Sequence, residues 1–156
     1  MLDTSAVEAL IETCSLGAAL RSFGKNHQLT ITERVLEEYQ SGHRLTIDVN
    51  AVKRTFSEAA VIVSEELLPY FHFDPSSGEI SVISYVIQTP DACCVIDEEF
   101  ARNVCKIFGV DFTGTVGMLK RMLKEGALER ASLRRIREKL RRSRFYLTAQ
   151  LLNELR

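Results

Sequence analysis

Residues Asp91–Gly117, DACCVIDEEFARNVCKIFGVDFTGTVG, set out a strand, an acidic corner, a helix and a second strand in 27 residues. Ala92-Cys93-Cys94-Val95-Ile96 is a short apolar run, the pattern of a strand buried on both faces. It ends at Asp97-Glu98-Glu99, after which Phe100, Ala101, Val104, Cys105, Ile107 and Phe108 recur at helical spacing until Gly109 supplies a stop. Asp97 therefore stands at the carboxyl end of a strand, where open parallel sheets place their ligand sites. Asp is also a favoured helix N-cap, so capping competes with chemistry at this position.

Working outward, the chain in both directions repeats the alternation. After Gly109, Val110–Gly114 reads as a short strand and turn, and Val116, Met118, Leu119, Met122 and Leu123 form the apolar face of a helix that stops at Gly126. Upstream, Glu79–Ile87 reads as a helix with Ile80, Ile83, Val86 and Ile87 inward, preceded by the turn Asp74–Gly78 and closed by Thr89-Pro90. Gln28–Thr32 is a candidate strand, followed by a helix over Glu33–Ser41 with Val35, Leu36 and Tyr39 inward. A helix is expected around Val49–Ala59, within the poorly patterned stretch 43–77. Near the start, Asp3, Thr4 and Ser5 are candidate caps for a helix carrying Ala6, Val7, Ala9, Leu10, Ile11 and Leu16. Strand, helix, strand, helix implies an α/β fold: a doubly wound parallel sheet flanked by helices in three layers, α/β/α.

A chain of 156 residues suits one compact domain over 1–156. No apolar run approaches the roughly 20 residues that span a membrane, and nothing at the amino terminus reads as a signal peptide, so a cytoplasmic protein without a membrane partner is expected. Cys14, Cys93, Cys94 and Cys105 show neither CxxC nor Cys/His spacing, which excludes a zinc framework and favours reduced packing cysteines.

The net charge of −1 hides a strong split. Residues 1–100 hold 6 Lys/Arg and 16 Asp/Glu, or −10; residues 101–156 hold 14 and 5, or +9. Ser132–Phe145, SLRRIREKLRRSRF, reads as a helix capped by Ser132 with Leu133, Ile136 and Leu140 on its apolar stripe and arginines around the rest, and Leu147–Leu155 reads as a last short helix. These make up basic C-terminal helices over about 132–156. Bound phosphates, an acidic partner, neutralisation of the acidic half or a solvated face would each account for Arg134, Arg137, Arg141 and Arg144.

Asp3, Glu38, Glu79 and Asp97 each open a helix or face out from one near a strand, and a parallel α/β sheet can bring such positions to one edge. Mutual repulsion makes a bare carboxylate cluster costly, so a cluster of this kind suits a hard cation, most simply Mg²⁺ or Mn²⁺. Taken one at a time, each acid is more often a cap or a solvated side chain than a ligand.

The segments MLDTSAVEAL, VLEEYQSG, SSGEISVISYVIQ, VIDEEFARNVCKIFGV and TGTVGML fall in the order and rough spacing of a PIN domain. The chain most resembles small prokaryotic PIN proteins related to VapC-type toxins, in the subgroup with a Gly-Glu acid and a last strand running into Gly-Thr-x-Gly. That resemblance implies a doubly wound α/β fold and a metal-dependent endoribonuclease, with a toxin–antitoxin pair as its setting, an antitoxin protein as partner and a homodimer as assembly. Carried onto this chain, the catalytic and metal-binding acids are Asp3, Glu38 rather than Glu37, Glu79 and Asp97, with Glu98 as a further metal ligand and Ser5 and Thr115 as hydroxyl companions. Two departures stand out. Only Met1 and Leu2 precede Asp3, which implies a truncated start or a very short central strand, and no carboxylate stands at Gly114-Thr115, where many PIN domains carry a fourth acid.

Two other readings stay open. One is a catalytically weak PIN-like module that binds RNA or protein. The other is a haloacid-dehalogenase-like phosphatase, which wants a second Asp two residues after Asp3, where Ser5 stands.

Overall fold

A computed structural model describes residues 1–42, 49–72, 74–143, 153 and 155. Four short strands pair in parallel: β1 (Thr30–Thr32) with β2 (Ser57–Ala59), and β3 (Cys94–Val95) with β4 (Phe112–Thr113). Met1–Asp3 lies between the two pairs. Leu2 N–H donates to Thr30 O (3.0 Å), while Val95 N–H donates to Met1 O (2.7 Å) and Asp3 N–H to Val95 O (3.1 Å). The order across the sheet is therefore β2, β1, the amino-terminal stub, β3, β4. From the stub the chain winds one way through β1 and β2, then crosses to the other side for β3 and β4. The switch point lies between the stub and β3, where ligand crevices of doubly wound sheets open.

The helices are α1 (Thr4–Val7), α2 (Gly17–Phe23), α3 (Glu33–Gly42), α4 (Val49–Thr55), α5 (Gly78–Gln88), α6 (Glu99–Ile107), α7 (Thr115–Lys124) and α8 (Leu133–Arg142). α3 packs on α5 and α5 on α6, while α2 packs on α4 and α7. With the parallel strands between them, they form the three-layer α/β/α fold. The tightest layer is α5, whose Ile80, Val82 and Ile83 are fully buried. α6 and α7 each run into a glycine in the left-handed region, Gly109 (φ 64°) and Gly126 (φ 74°), as helix stops require. α8 docks on the π-helical turn Glu8–Thr13 that continues α1. Leu133, Ile136 and Leu140 are its buried stripe, and each such side chain contributes roughly 1.5–3 kcal/mol.

Four expectations change. The helix expected to Ala59 ends at Thr55, and Ser57–Ala59 pairs with β1 as an edge strand instead. Ile87, expected to be buried, is 42% exposed at the end of α5. Ser132 takes a helical conformation in a 3₁₀ turn over Arg130–Ser132 and makes no capping bond, so α8 starts without a side-chain cap. Lastly, the helix through Ala6–Leu16 is broken at Ser15, held in the left-handed region at φ 58°. Arg144 and nearly all of the expected helix over Leu147–Leu155 lie outside the described residues. Among the described residues no helix is long and apolar enough to cross a membrane.

Candidate active site

Asp3 follows the stub and turns the chain into α1. Its Oδ1 accepts from Ala6 N–H (2.7 Å), which caps the helix, and the Ser5 hydroxyl donates to both of its oxygens (3.1 and 3.0 Å). The side chain is nonetheless 2% exposed, and burial pushes its carboxyl up to about 7. The Ala6 and Ser5 bonds oppose that shift; the charges of Asp97 and Glu79 add to it. Capping and an unusual carboxylate thus coincide in one residue.

Asp97 lies across the switch point, two residues beyond β3, and it is not a cap. The N-cap of α6 is Glu98, which makes no side-chain capping bond. Instead, Asp97 Oδ1 accepts from Thr115 N–H (3.0 Å) and from Arg102 Nη2 (3.3 Å), and its Oδ2 accepts from the buried Thr115 hydroxyl. Arg102 is steadied in turn by its Nε, which donates to Ile96 O (2.7 Å). Gly114 leaves room for this pair, since a Cβ there would lie 2.8 Å from Asp97 Oδ1 and against the Arg102 guanidinium. Where a fourth acid was absent from the sequence, Thr115 and Arg102 grip the acid that is present.

Glu38 and Glu79 come from the helix layer. Glu38 Oε1 accepts from Gly78 N–H at the start of α5 (2.6 Å), and its Oε2 accepts from the Thr4 hydroxyl, so one carboxylate ties α3 to both α1 and α5. A Cβ on Gly78 would lie 2.9 Å from Glu38 Cδ, which is why glycine precedes Glu79. Glu37 turns away into an exposed pair with Arg34 (2.8 Å). Glu79, in the first turn of α5, accepts from Ser77 (2.7 Å), the residue whose hydroxyl also caps that helix.

Asp3 feels the charges of both Asp97 and Glu79, and Glu98, raised by burial, also feels Glu79. These four acids therefore lie within range of one another's charge, and Glu38 ties into the same region through Thr4 and Gly78. Among the described residues no group of three or more Asp, Glu, His or Cys is drawn close enough to hold a metal ion as it stands. Arg102 escaped sequence reading because it belongs to no acidic pattern, and Thr4, expected as a candidate cap, instead donates its hydroxyl to Glu38. A cation one turn into the helix that follows an acid is the signal that would have found Arg102. Of the basic positions, Arg134 is 92% exposed beside Glu138 (3.3 Å) and Arg137 donates to Asn153 (3.3 Å).

Fold and acids together define an α/β domain with Asp3 and Asp97 at the carboxyl ends of its central parallel strands. The family model DUF3368, a PIN domain, matches residues 1–156, and this chain belongs to the PIN domain family. No curated protein and no solved structure matches it. PIN domains are generally nucleases that act on nucleic acids with divalent metal ions.

Proposed function

We propose that this protein is a Mg²⁺- or Mn²⁺-dependent endoribonuclease, with Asp3, Glu79 and Asp97 as its catalytic and metal-binding acids, assisted by Glu38 and Glu98. The observation that carries the reading is Asp3: its side chain is 2% exposed, and burial with the charges of Asp97 and Glu79 pushes its carboxyl up to about 7, so ionising it is costly. A hard divalent cation relieves that cost, and all-oxygen donors suit Mg²⁺ or Mn²⁺. Bound there, the cation would supply positive charge against phosphoryl oxygens and lower the pKa of water.

The chain's own residues do the rest. Ser5 orients Asp3, and Thr115 with Arg102 fixes Asp97, so each strand-end acid is held by its own hydrogen bonds. Asp3, whose carboxyl is pushed up to about 7, would be held deprotonated at neutral pH by a bound cation. The Arg102 guanidinium adds a fixed positive charge beside Asp97, available to a phosphoryl oxygen bound there. Arg134, Arg137, Arg141 and Arg144 are assigned to more distant RNA phosphates, and a toxin role with an antitoxin partner and a homodimeric assembly belongs to the same reading.

A second reading, a catalytically weak PIN-like module that binds RNA or protein, draws on one observation: both Asp97 oxygens are already taken by Thr115 and Arg102. The test is cleavage of fluorogenic single-stranded RNA in Mn²⁺, Mg²⁺ or EDTA, with Asp97→Asn beside the parent. Metal-dependent cleavage that falls at least about a hundredfold in a folded Asp97→Asn protein is expected, the scale of losing one preorganised charged group. Equal rates in parent and variant would remove Asp97 from the site. RNA binding without cleavage, and without measurable Mn²⁺ binding, would establish the second reading.

A further inference from the structure

Phe100 stands three residues beyond Asp97, in the first turn of α6, and 44% of its surface is exposed. Its ring packs edge-to-face with Phe71, centroids 5.5 Å apart and planes at 77°. Phe71 is buried, so the contact braces one flank of Phe100 while nearly half of the ring stays in solvent. Turn bonds follow Phe71 before the helix that carries Glu79. His72 is left-handed (φ 52°), Asp74 N–H donates to Phe71 O (2.9 Å), Ser76 N–H donates to Asp74 Oδ1 (2.8 Å), and Ser77 then caps the helix that carries Glu79. Phe100 therefore stands within one helical turn of Asp97, and Phe71 precedes by six residues the cap of the helix that carries Glu79.

A cleft lined by carboxylates repels the phosphates of its substrate, and attraction from outside it must hold the strand. Base stacking is suited to that task because it is insensitive to charge and worth about 1–3 kcal/mol per base. We propose that Phe100, braced by Phe71, is the platform on which an unpaired base of single-stranded RNA stacks as the neighbouring phosphate enters the acidic cleft. This rests on the nuclease reading and adds a subsite to it. A self-association surface competes, since Ile107 (61% exposed) lies two turns further along α6 and Tyr70 packs on Phe108 nearby. The position of Phe100 beside the acids favours the base.

The experiment uses full-length protein carrying Asp97→Asn to prevent cleavage, and a short single-stranded RNA containing 2-aminopurine. Adding Phe100→Ala is expected to weaken binding about five- to a hundredfold and to abolish quenching of the 2-aminopurine, with the salt slope of binding unchanged. Phe100→Leu, which keeps an apolar contact with Phe71 but has no π face, should lose quenching likewise, and Phe100→Trp should retain it. Unaltered affinity and quenching in Phe100→Ala would overturn the proposal, as would a parent dimer that Phe100→Ala converts to monomer with no change in RNA binding. Parent protein assayed with Mn²⁺ separates the two readings: cleavage with a neutral Phe100 leaves the nuclease and removes the platform. Phe100-dependent quenching without any parent cleavage retains base stacking and removes the nuclease.

Discussion

Asp3 is 2% exposed and accepts from Ala6 N–H and the Ser5 hydroxyl, whereas Arg134 on α8 leaves 92% of its side chain in water beside a single carboxylate. The acids of the cleft are built into the fold: Asp97 joins β3 to the start of α7 through Thr115, and Glu38 joins α3 to α1 and α5. The arginines of α8 ride on a helix that Leu133, Ile136 and Leu140 hold in place. Opposite charges thus have opposite degrees of commitment. Altering the acids should change stability first, and altering the arginines should change only what the surface attracts.

The largest effect is expected at Asp3 in EDTA. Its carboxyl is raised from 3.8 to about 7 in the folded protein, so folding favours the protonated form. The stability this gives is complete below about pH 4 and is lost as the pH rises toward 7 and beyond. Asp3→Asn cannot ionise and can still cap α1. It should match the parent at pH 4 and exceed it at pH 8 by up to about 4 kcal/mol, taking about three pKa units at 1.36 kcal/mol each. Urea midpoints at the two pH values measure this, and Mn²⁺ should narrow the gap. A difference independent of pH would mean that Asp3 is charged without cost.

A smaller effect is expected at Glu38. Glu38→Ala leaves Gly78 N–H and the Thr4 hydroxyl without their acceptor, at a cost of about 1–3 kcal/mol. Glu37→Ala removes only an exposed pair with Arg34 and should stay within about 0.5 kcal/mol. Thermal melts of the two variants side by side would decide which glutamate is the structural one. Equal losses would erase the distinction between them.

What the sequence disclosed follows from the range of each interaction. Helical spacing marks α5, α6 and α7 because each buries a continuous apolar stripe over nine to eleven residues. The edge strand β2, Ser-Glu-Ala, has two exposed residues and no apolar alternation, so nothing in its pattern separates it from the helix before it. The segment Glu65–Phe71 was unreadable for a related reason: it is a 3₁₀ helix with Pro69 inside it, whose three-residue turn over so short a span leaves no apolar pattern at the 3.6-residue helical spacing. At the site, the acids were visible as residue types placed near strand ends. Their partners were not, because Arg102 reaching Asp97, or Glu38 reaching Gly78, depends on how separate elements pack rather than on local spacing. Capping at Asp97 was the simplest local reading and proved incorrect for the same reason: its donors come from residue 115 and from a turn inside α6.

The smallest stability change, and the clearest separation of charge from structure, should come from the basic helix. Replacing Arg134, Arg137 and Arg141 by alanine removes the weak Arg134–Glu138 and Arg137–Asn153 contacts and substitutes the best helix former, so the melting temperature should hardly move. If the three arginines meet RNA phosphates, the slope of log affinity against log salt should flatten by about 2, since each phosphate on a single strand contributes about 0.7. Titration of a single-stranded RNA at several salt concentrations, in an Asp97→Asn background, reads this directly. A flattened slope with an unchanged melt would place the RNA path between an acidic cleft that is part of the fold and a basic helix surface that is separable from it. An unchanged slope would make α8 a solvated face, and the positive half of the charge split would then be needed for something other than RNA.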